Sequence, residues 1–488
     1  MAGHVEVLER YVLKSLVPCV AALILSVAGG CETTVKDPMS ALTDKSAHDR
    51  THLKSMEMMQ QGDPAEDEAY LRVLEGIVWR PGYGIAVRRE ALAQLWEYDR
   101  DRTMVLLRRQ LPRMTNWPWL TECCEWIADR DLEQLDPALI SSWGRPRALT
   151  PDEMDRPEYI ALVRMHGHDA VVEKVFELFM ESGNRSQRGL RQRCWDLLHR
   201  LDERDRLILL AEQSQPGGED VLLLDLHAAA TDFGMVPYNR EEIIWLQELR
   251  QPDKQWFWDE ARESFERVPE QRRAELEMRD LAVVVAAVRH RPDLLEAPVT
   301  RLYSNVEGSL RGRKHYSEYH PGIPGADASR ERLRTHREAL TWSDLASIEL
   351  ALQALQPSEV RAHLFAYADE DHEDESTEFG GVIALDKQGR FEVLEFKPRI
   401  RQHDLKFNAS QDMFDAGYTS LFHFHYHVQS HGNRDHAGPG LGDMNYADNT
   451  RANCLVFTFV DEDRMNVDYY RHGGIVVDLG TIRRPGSG

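Results

Sequence analysis

Three histidines, His423, His425 and His427, stand at every second position of the stretch "LFHFHYHV". In an extended strand, alternate residues share a face, so the three imidazoles form one row while Phe422, Phe424 and Tyr426 point the other way. A row of imidazoles is costly to bury without partners. Neutral imidazole is a good ligand for zinc and related ions, and two strand neighbours can reach one ion. Asp443, at the start of a helix after "AGPGLG", supplies a third ligand and leaves a coordination position for water, the form a catalytic zinc site takes. Two pairings are open, His423 with His425 and His425 with His427. The second lies nearer Asp443 in sequence and is favoured, which leaves His423 as the alternative ligand or as a residue that orients one. His431 and His436, in the loop, read as solvated.

The elements that must position this row are legible around it. "GGVIAL" and "FEVLEF" flank "DKQG", in which Gly389 can take the positive φ a tight turn needs. A short helical patch, "ASQDMFDAG", precedes the histidine strand, "GDMNYADNT" follows it as a short helix, and "CLVFTFV", "MNVDYYR" and "GIVVDLG" read as strands. Residues 367–488 are therefore expected to form a compact α+β domain.

Just upstream runs Glu378, Phe379, Gly380, Gly381. A hairpin opened by Glu-x-x-Gly, then a His-x-His strand, a loop, and an aspartate opening a helix resembles the JAMM (JAB/MPN) metalloprotease family. The resemblance covers roughly residues 370–482. It implies an MPN/JAB-like fold, one zinc ion held by a His-x-His pair and Asp443, Glu378 as general base, and cleavage of a peptide or isopeptide bond. The chain departs from the family pattern at three points. Val428, or Tyr426 under the other pairing, stands where the family has proline; Gly440 stands where it has a serine that helps stabilise the tetrahedral intermediate; and the loop to Asp443 is longer.

From residue 69 to 366 the apolar spacing is helical throughout, as in "IAVRREALAQLWEY" and "DLAVVVAAVRH". Trp96 and Trp126, 30 residues apart, are each followed three residues later by Asp-Arg-Asp. Helix, acidic-basic turn, helix resembles HEAT-type solenoid repeats, in which the aspartate caps the next helix and the arginine stays in solvent. A long loop from 303 to 329 gathers Arg311, Arg313 and Lys314 and reads as solvated.

Against 82 Asp+Glu the chain has 59 Lys+Arg, a net charge of -23, which argues against nucleic-acid binding. At the N-terminus, Arg10 and Lys14 precede the apolar run "LVPCVAALILSVA" and then "AGGC", ending at Cys31. The run is too short to span a bilayer. It resembles a bacterial lipoprotein signal, which implies removal of 1–30, lipidation of Cys31 and a location outside the cytoplasm, on the periplasmic side or the cell surface. Polar residues 31–68 then read as a flexible tether. Cys123, Cys124, Cys194 and Cys454 show neither zinc-ribbon nor disulfide spacing, and the adjacent Cys123 and Cys124 in "WLTECCEWIA" read as packed thiols. Phosphate-loop, dinucleotide and serine-hydrolase signatures are absent.

The expectation is a multidomain chain: an all-α, HEAT-like helical region over 69–366 that gathers peptide, protein substrate or partner, followed by the α+β metal-binding domain. Its function would be that of a lipid-anchored zinc metallohydrolase. The alternative is a binding scaffold whose MPN-like domain is catalytically silent.

Overall fold

A computed structural model describes residues 35–62, 67–145, 152–183, 188–214, 220–316, 331–396, 398 and 407–486. The expected signal segment and Cys31 lie outside the described residues. The chain divides into two compact units, one ending at Gln110 and one beginning at Leu111.

The first unit is helical. Its helices Pro38–Thr43 and Asp49–Met59 occupy much of the segment expected to be a free tether. The correction has a packing cause: Leu42 and Met56 are fully buried, and the buried His52 places Nε2 2.9 Å from the Asp44 carbonyl oxygen. A polar composition concealed these few apolar anchors. The Glu68–Trp79, Ile85–Tyr98 and Arg100–Gln110 helices complete the unit. Asp99 accepts from the Arg102 amide (2.9 Å), as a turn aspartate should, but the Arg100 guanidinium sits 5.3 Å above the Trp96 ring.

In the second unit, helices run from Trp117–Ala128 to Ser358–Glu373, the last of which passes through the expected boundary at 366/367. Arg130 lies 4.2 Å over Trp126, so the two Trp-x-x-Asp-Arg turns share a cation–π contact that sequence reading had left to solvent. No helix among the described residues is long and apolar enough to cross a membrane.

The helices are followed by a six-stranded mixed sheet. Its strands are β1 (Gly380–Leu385), β2 (Phe391–Phe396), β3 (Phe422–His427), β4 (Cys454–Asp461), β5 (Arg464–Arg471) and β6 (Ile475–Arg483), in spatial order β2-β1-β3-β4-β5-β6. Only the β3–β4 pair is parallel, and the Leu441–Thr450 helix lies within that crossover. The turn between β1 and β2 has Gly389 at φ +81, as its sequence requires. Gly381 has a different reason to be glycine: a Cβ there would lie 2.2 Å from the Leu394 carbonyl oxygen on β2. A helical region followed by an α+β sheet domain is thus the architecture of the C-terminal part.

Candidate metal centre

β1 runs antiparallel to β3 with Gly380 opposite His425, and the same register carried two residues outward sets Glu378 level with His427. The Glu-x-x-Gly run therefore delivers a carboxylate beside the histidine row. Among the described residues, Glu378, His425 and His427 form a group able to hold a metal ion, their ligand atoms all within 4.8 Å of one another.

Asp443 faces the same two histidines from the first turn of its helix. Its Oδ1 is 3.2 Å from His425 Nε2, its Oδ2 is 3.5 Å from His427 Nε2, and the two Nε2 atoms are 3.2 Å apart. Asp443 is fixed there because its Oδ2 also accepts from the Gly440 amide at 2.8 Å, closing the helix N-terminus. Gly440, at the position where a serine was of interest, contributes its backbone N–H to Asp443.

The two imidazoles are oriented from behind. His427 Nδ1 lies 2.9 Å from the His436 carbonyl oxygen, which can only accept, so the proton sits on Nδ1 and the Nε2 lone pair faces the centre of the neutral ring. His425 Nδ1 is 3.4 Å from the Tyr470 hydroxyl on β5, and its ring stacks on Phe407 at 6.1 Å. Glu378 is held by an amide relay. Asn433 Nδ2 donates to Gln429 Oε1 (2.7 Å) and to the His427 carbonyl (3.2 Å), which turns the Gln429 amide so that its Nε2 donates to Glu378 Oε1 (3.1 Å).

The electrostatics follow from this crowding. Burial alone would lower the His427 imidazole, but the Asp443 carboxylate more than offsets it and lifts the ring to about 9. Burial would raise Asp443, and the two histidines instead hold it far below the carboxylate range. Metal-free, the site is thus an imidazolium–carboxylate cluster; with a cation bound, the same donors become ligands.

His423 sits apart from this cluster. Its Nδ1 shares a 2.8 Å hydrogen bond with the Tyr446 hydroxyl, its ring stacks on Trp245 at 6.3 Å and 18°, and burial pulls it down to about 4. Of the two pairings the sequence left open, His425 with His427 is the one that converges with Asp443. His423 instead braces Tyr446, three residues beyond Asp443 on the same helix. His431 is not the solvated side chain expected: its ring packs on His372 (4.2 Å) and Phe459 (5.0 Å). His436 is exposed, and only its carbonyl serves the site.

Trp245 comes from the Arg240–Leu249 helix and had no local signal in the sequence. It donates from Nε1 to the Tyr418 carbonyl at 2.8 Å, while Asn239, which caps the same helix, donates to the Asn449 carbonyl on the Asp443 helix at 2.8 Å. Arg451, at the end of that helix, pairs with the buried Glu242 (3.2 Å) and with Glu277 (2.8 Å). The helical part of the second unit therefore buttresses the element that carries Asp443. Gln429 and Asn433 had a fainter signal, being amides placed directly after the histidine strand.

The centre opens into a cleft of about 550 Å³. Phe407 and Met413 give it an apolar side, Asn445 and Asn449 a polar one, and Leu441 beside it is 75% exposed. Comparison with models of known protein families, with curated proteins and with solved structures gave no match.

Proposed function

We propose that the chain is a zinc-dependent hydrolase of the JAMM type that cleaves a peptide or isopeptide bond, anchored outside the cytoplasm through a lipid on Cys31. The observation that carries the reading is the spacing of the donors. Ligands each about 2.0–2.1 Å from a tetrahedral zinc lie roughly 3.3–3.4 Å from one another. His425 Nε2 and His427 Nε2 are 3.2 Å apart, and Asp443 meets them with different oxygens, Oδ1 at 3.2 Å from His425 and Oδ2 at 3.5 Å from His427.

Zinc, when bound, polarises the scissile carbonyl and lowers the pKa of the attacking water. The chain's residues do the rest. His425, His427 and Asp443 hold the ion; Glu378 takes the proton of the attacking water and passes it to the leaving amine. Gln429 aims Glu378 by donating to one carboxylate oxygen. The cleft beside Phe407 and Asn445 accepts the chain to be cut, and the helical region gathers substrate or partner protein.

Gly440 favours a second reading, a scaffold whose MPN-like domain binds metal without turnover, because the position offers no hydroxyl to the intermediate. Elemental analysis of the purified chain separates metal binding from its absence. One zinc per chain is expected in wild type and in Glu378→Gln, with loss in the His425→Ala/His427→Ala variant. A wild-type protein that holds no zinc after incubation removes the hydrolase reading. Peptide cleavage by wild type and not by Glu378→Gln then separates hydrolase from scaffold.

A further inference from the structure

Several arginines of this acidic chain are paired with carboxylates: Arg102 with Glu68, Arg191 with Asp220, Arg289 with Glu260, Arg484 with Asp369. A cleft of about 500 Å³, separate from the metal centre, is lined by Arg311, Arg313, His315, Arg332 and Arg334 together with Tyr303. The sequence separates these basic residues into two groups, and the fold brings both to one cavity.

None of Arg311, Arg332 and Arg334 forms an ion pair among the described residues, and all three are exposed. Arg313 is committed elsewhere: Nε donates to the Ser309 carbonyl at 2.8 Å, Nη1 donates to the Leu479 carbonyl at 3.0 Å, and the Asp478 carboxylate acts on its charge. Room for its stem is made by Gly480, at φ +80, where a Cβ would lie 2.9 Å from Arg313 Cβ. Two carboxylates line the same cavity, Glu307 and Asp478. Asp478 is already engaged, by His315 Nδ1 (3.2 Å), the Tyr316 amide (2.9 Å) and the Gly480 amide (2.6 Å). Three uncommitted guanidinium groups, Arg311, Arg332 and Arg334, therefore line the cavity with the exposed Glu307 and the already engaged Asp478.

We infer that this cleft is a binding site for a phosphate-bearing ligand. Planar guanidinium forks match phosphate oxygens two at a time, and the three uncommitted ones exceed what the exposed Glu307 alone can satisfy. A net charge of -23 repels anions at long range, so binding depends on these short-range contacts. The cavity is larger than a bare phosphate and takes in part of the molecule that carries it. The source is either a soluble phosphorylated compound or the headgroup of an anionic lipid.

The test uses the full chain and an Arg332→Gln/Arg334→Gln variant, whose changes fall on exposed side chains. Inorganic pyrophosphate is titrated by calorimetry, and vesicles of phosphatidylglycerol or of phosphatidylcholine are co-sedimented with each protein. Saturable pyrophosphate binding, weakened more than about tenfold in the variant, supports a soluble ligand. A phosphatidylglycerol-dependent difference between wild type and variant, without pyrophosphate binding, supports a headgroup. If neither probe binds, or if the variant binds each as wild type does, the inference is overturned.

Discussion

Replacing Trp245 by phenylalanine tests whether a residue outside the sheet holds the metal centre in shape. Trp245 is 5% exposed, donates to the Tyr418 carbonyl and stacks on His423. The phenyl ring loses the N–H, leaving a buried carbonyl short of a donor at a cost of about 1–3 kcal/mol. Loss of roughly 40 Å³ of ring volume adds about 1 kcal/mol at about 24 cal/mol per Å³ of residual cavity. A destabilisation of about 2–4 kcal/mol is expected, read from urea unfolding of the metal-free protein with the denaturant slope unchanged. His423 and Tyr446 then lose their brace, and the helix that presents Asp443 gains freedom. Zinc affinity, measured by competition with a chelating dye, is expected to fall about 10- to 100-fold, as it does when groups behind metal ligands are removed. The same stability loss with unchanged zinc affinity would refute the coupling and leave Trp245 as packing alone. No stability loss would refute the burial argument itself.

Three further outcomes are expected. His423→Gln retains one zinc per chain in elemental analysis while His425→Gln loses it; the opposite result would restore the other pairing. His199, half-buried and pulled down to about 4 by desolvation, is neutral in the fold, so its contribution is complete above the unfolded value of about 6.5 and is lost as pH falls through 4. At pH 4.5 that amounts to about 2.5 kcal/mol, so a His199→Asn variant should narrow the gap between urea-unfolding free energies at pH 7 and pH 4.5 by about that much. Asp344, fully buried, takes 2.7 Å hydrogen bonds from Arg471 and also pairs with Arg279, so Asp344→Asn strands buried cations and should cost about 3–5 kcal/mol by urea unfolding at pH 7. A loss under about 1 kcal/mol would mean that water or another acid takes its place.

Most of the C-terminal sheet was legible because its strands announce themselves locally: alternation in "FHFHYH", a glycine turn after "DKQ", β-branched and aromatic runs in β4 to β6. Glu378, His425, His427 and Asp443 were legible for the same reason, as each opens or lies on such an element. The supports of that cluster were not. Trp245 and Asn239 reach the site across 173 and 210 residues of chain, and no periodicity encodes such a distance. The helices before Glu68 were hidden by their polar faces, since only a few residues such as Leu42 and Met56 anchor them. The second basic cluster, Arg332 and Arg334, joins Arg311 and Arg313 only through the fold.

The long loop between His427 and Asp443 read as a departure from the family pattern, yet its residues account for most of the orientation at the site. Within it, Gln429 donates to Glu378, the His436 carbonyl fixes the proton on His427 Nδ1, and the Gly440 amide holds Asp443. Asn433 ties the first of these to the second by bonding both Gln429 and the His427 carbonyl. A shorter loop would have to find these three contacts elsewhere, and only His425 has its partner, Tyr470, outside the loop. The added length therefore behaves as a single clasp across base and ligands. A glycine at position 440 fits that arrangement, because the contact Asp443 needs there is a backbone amide, which requires no side chain.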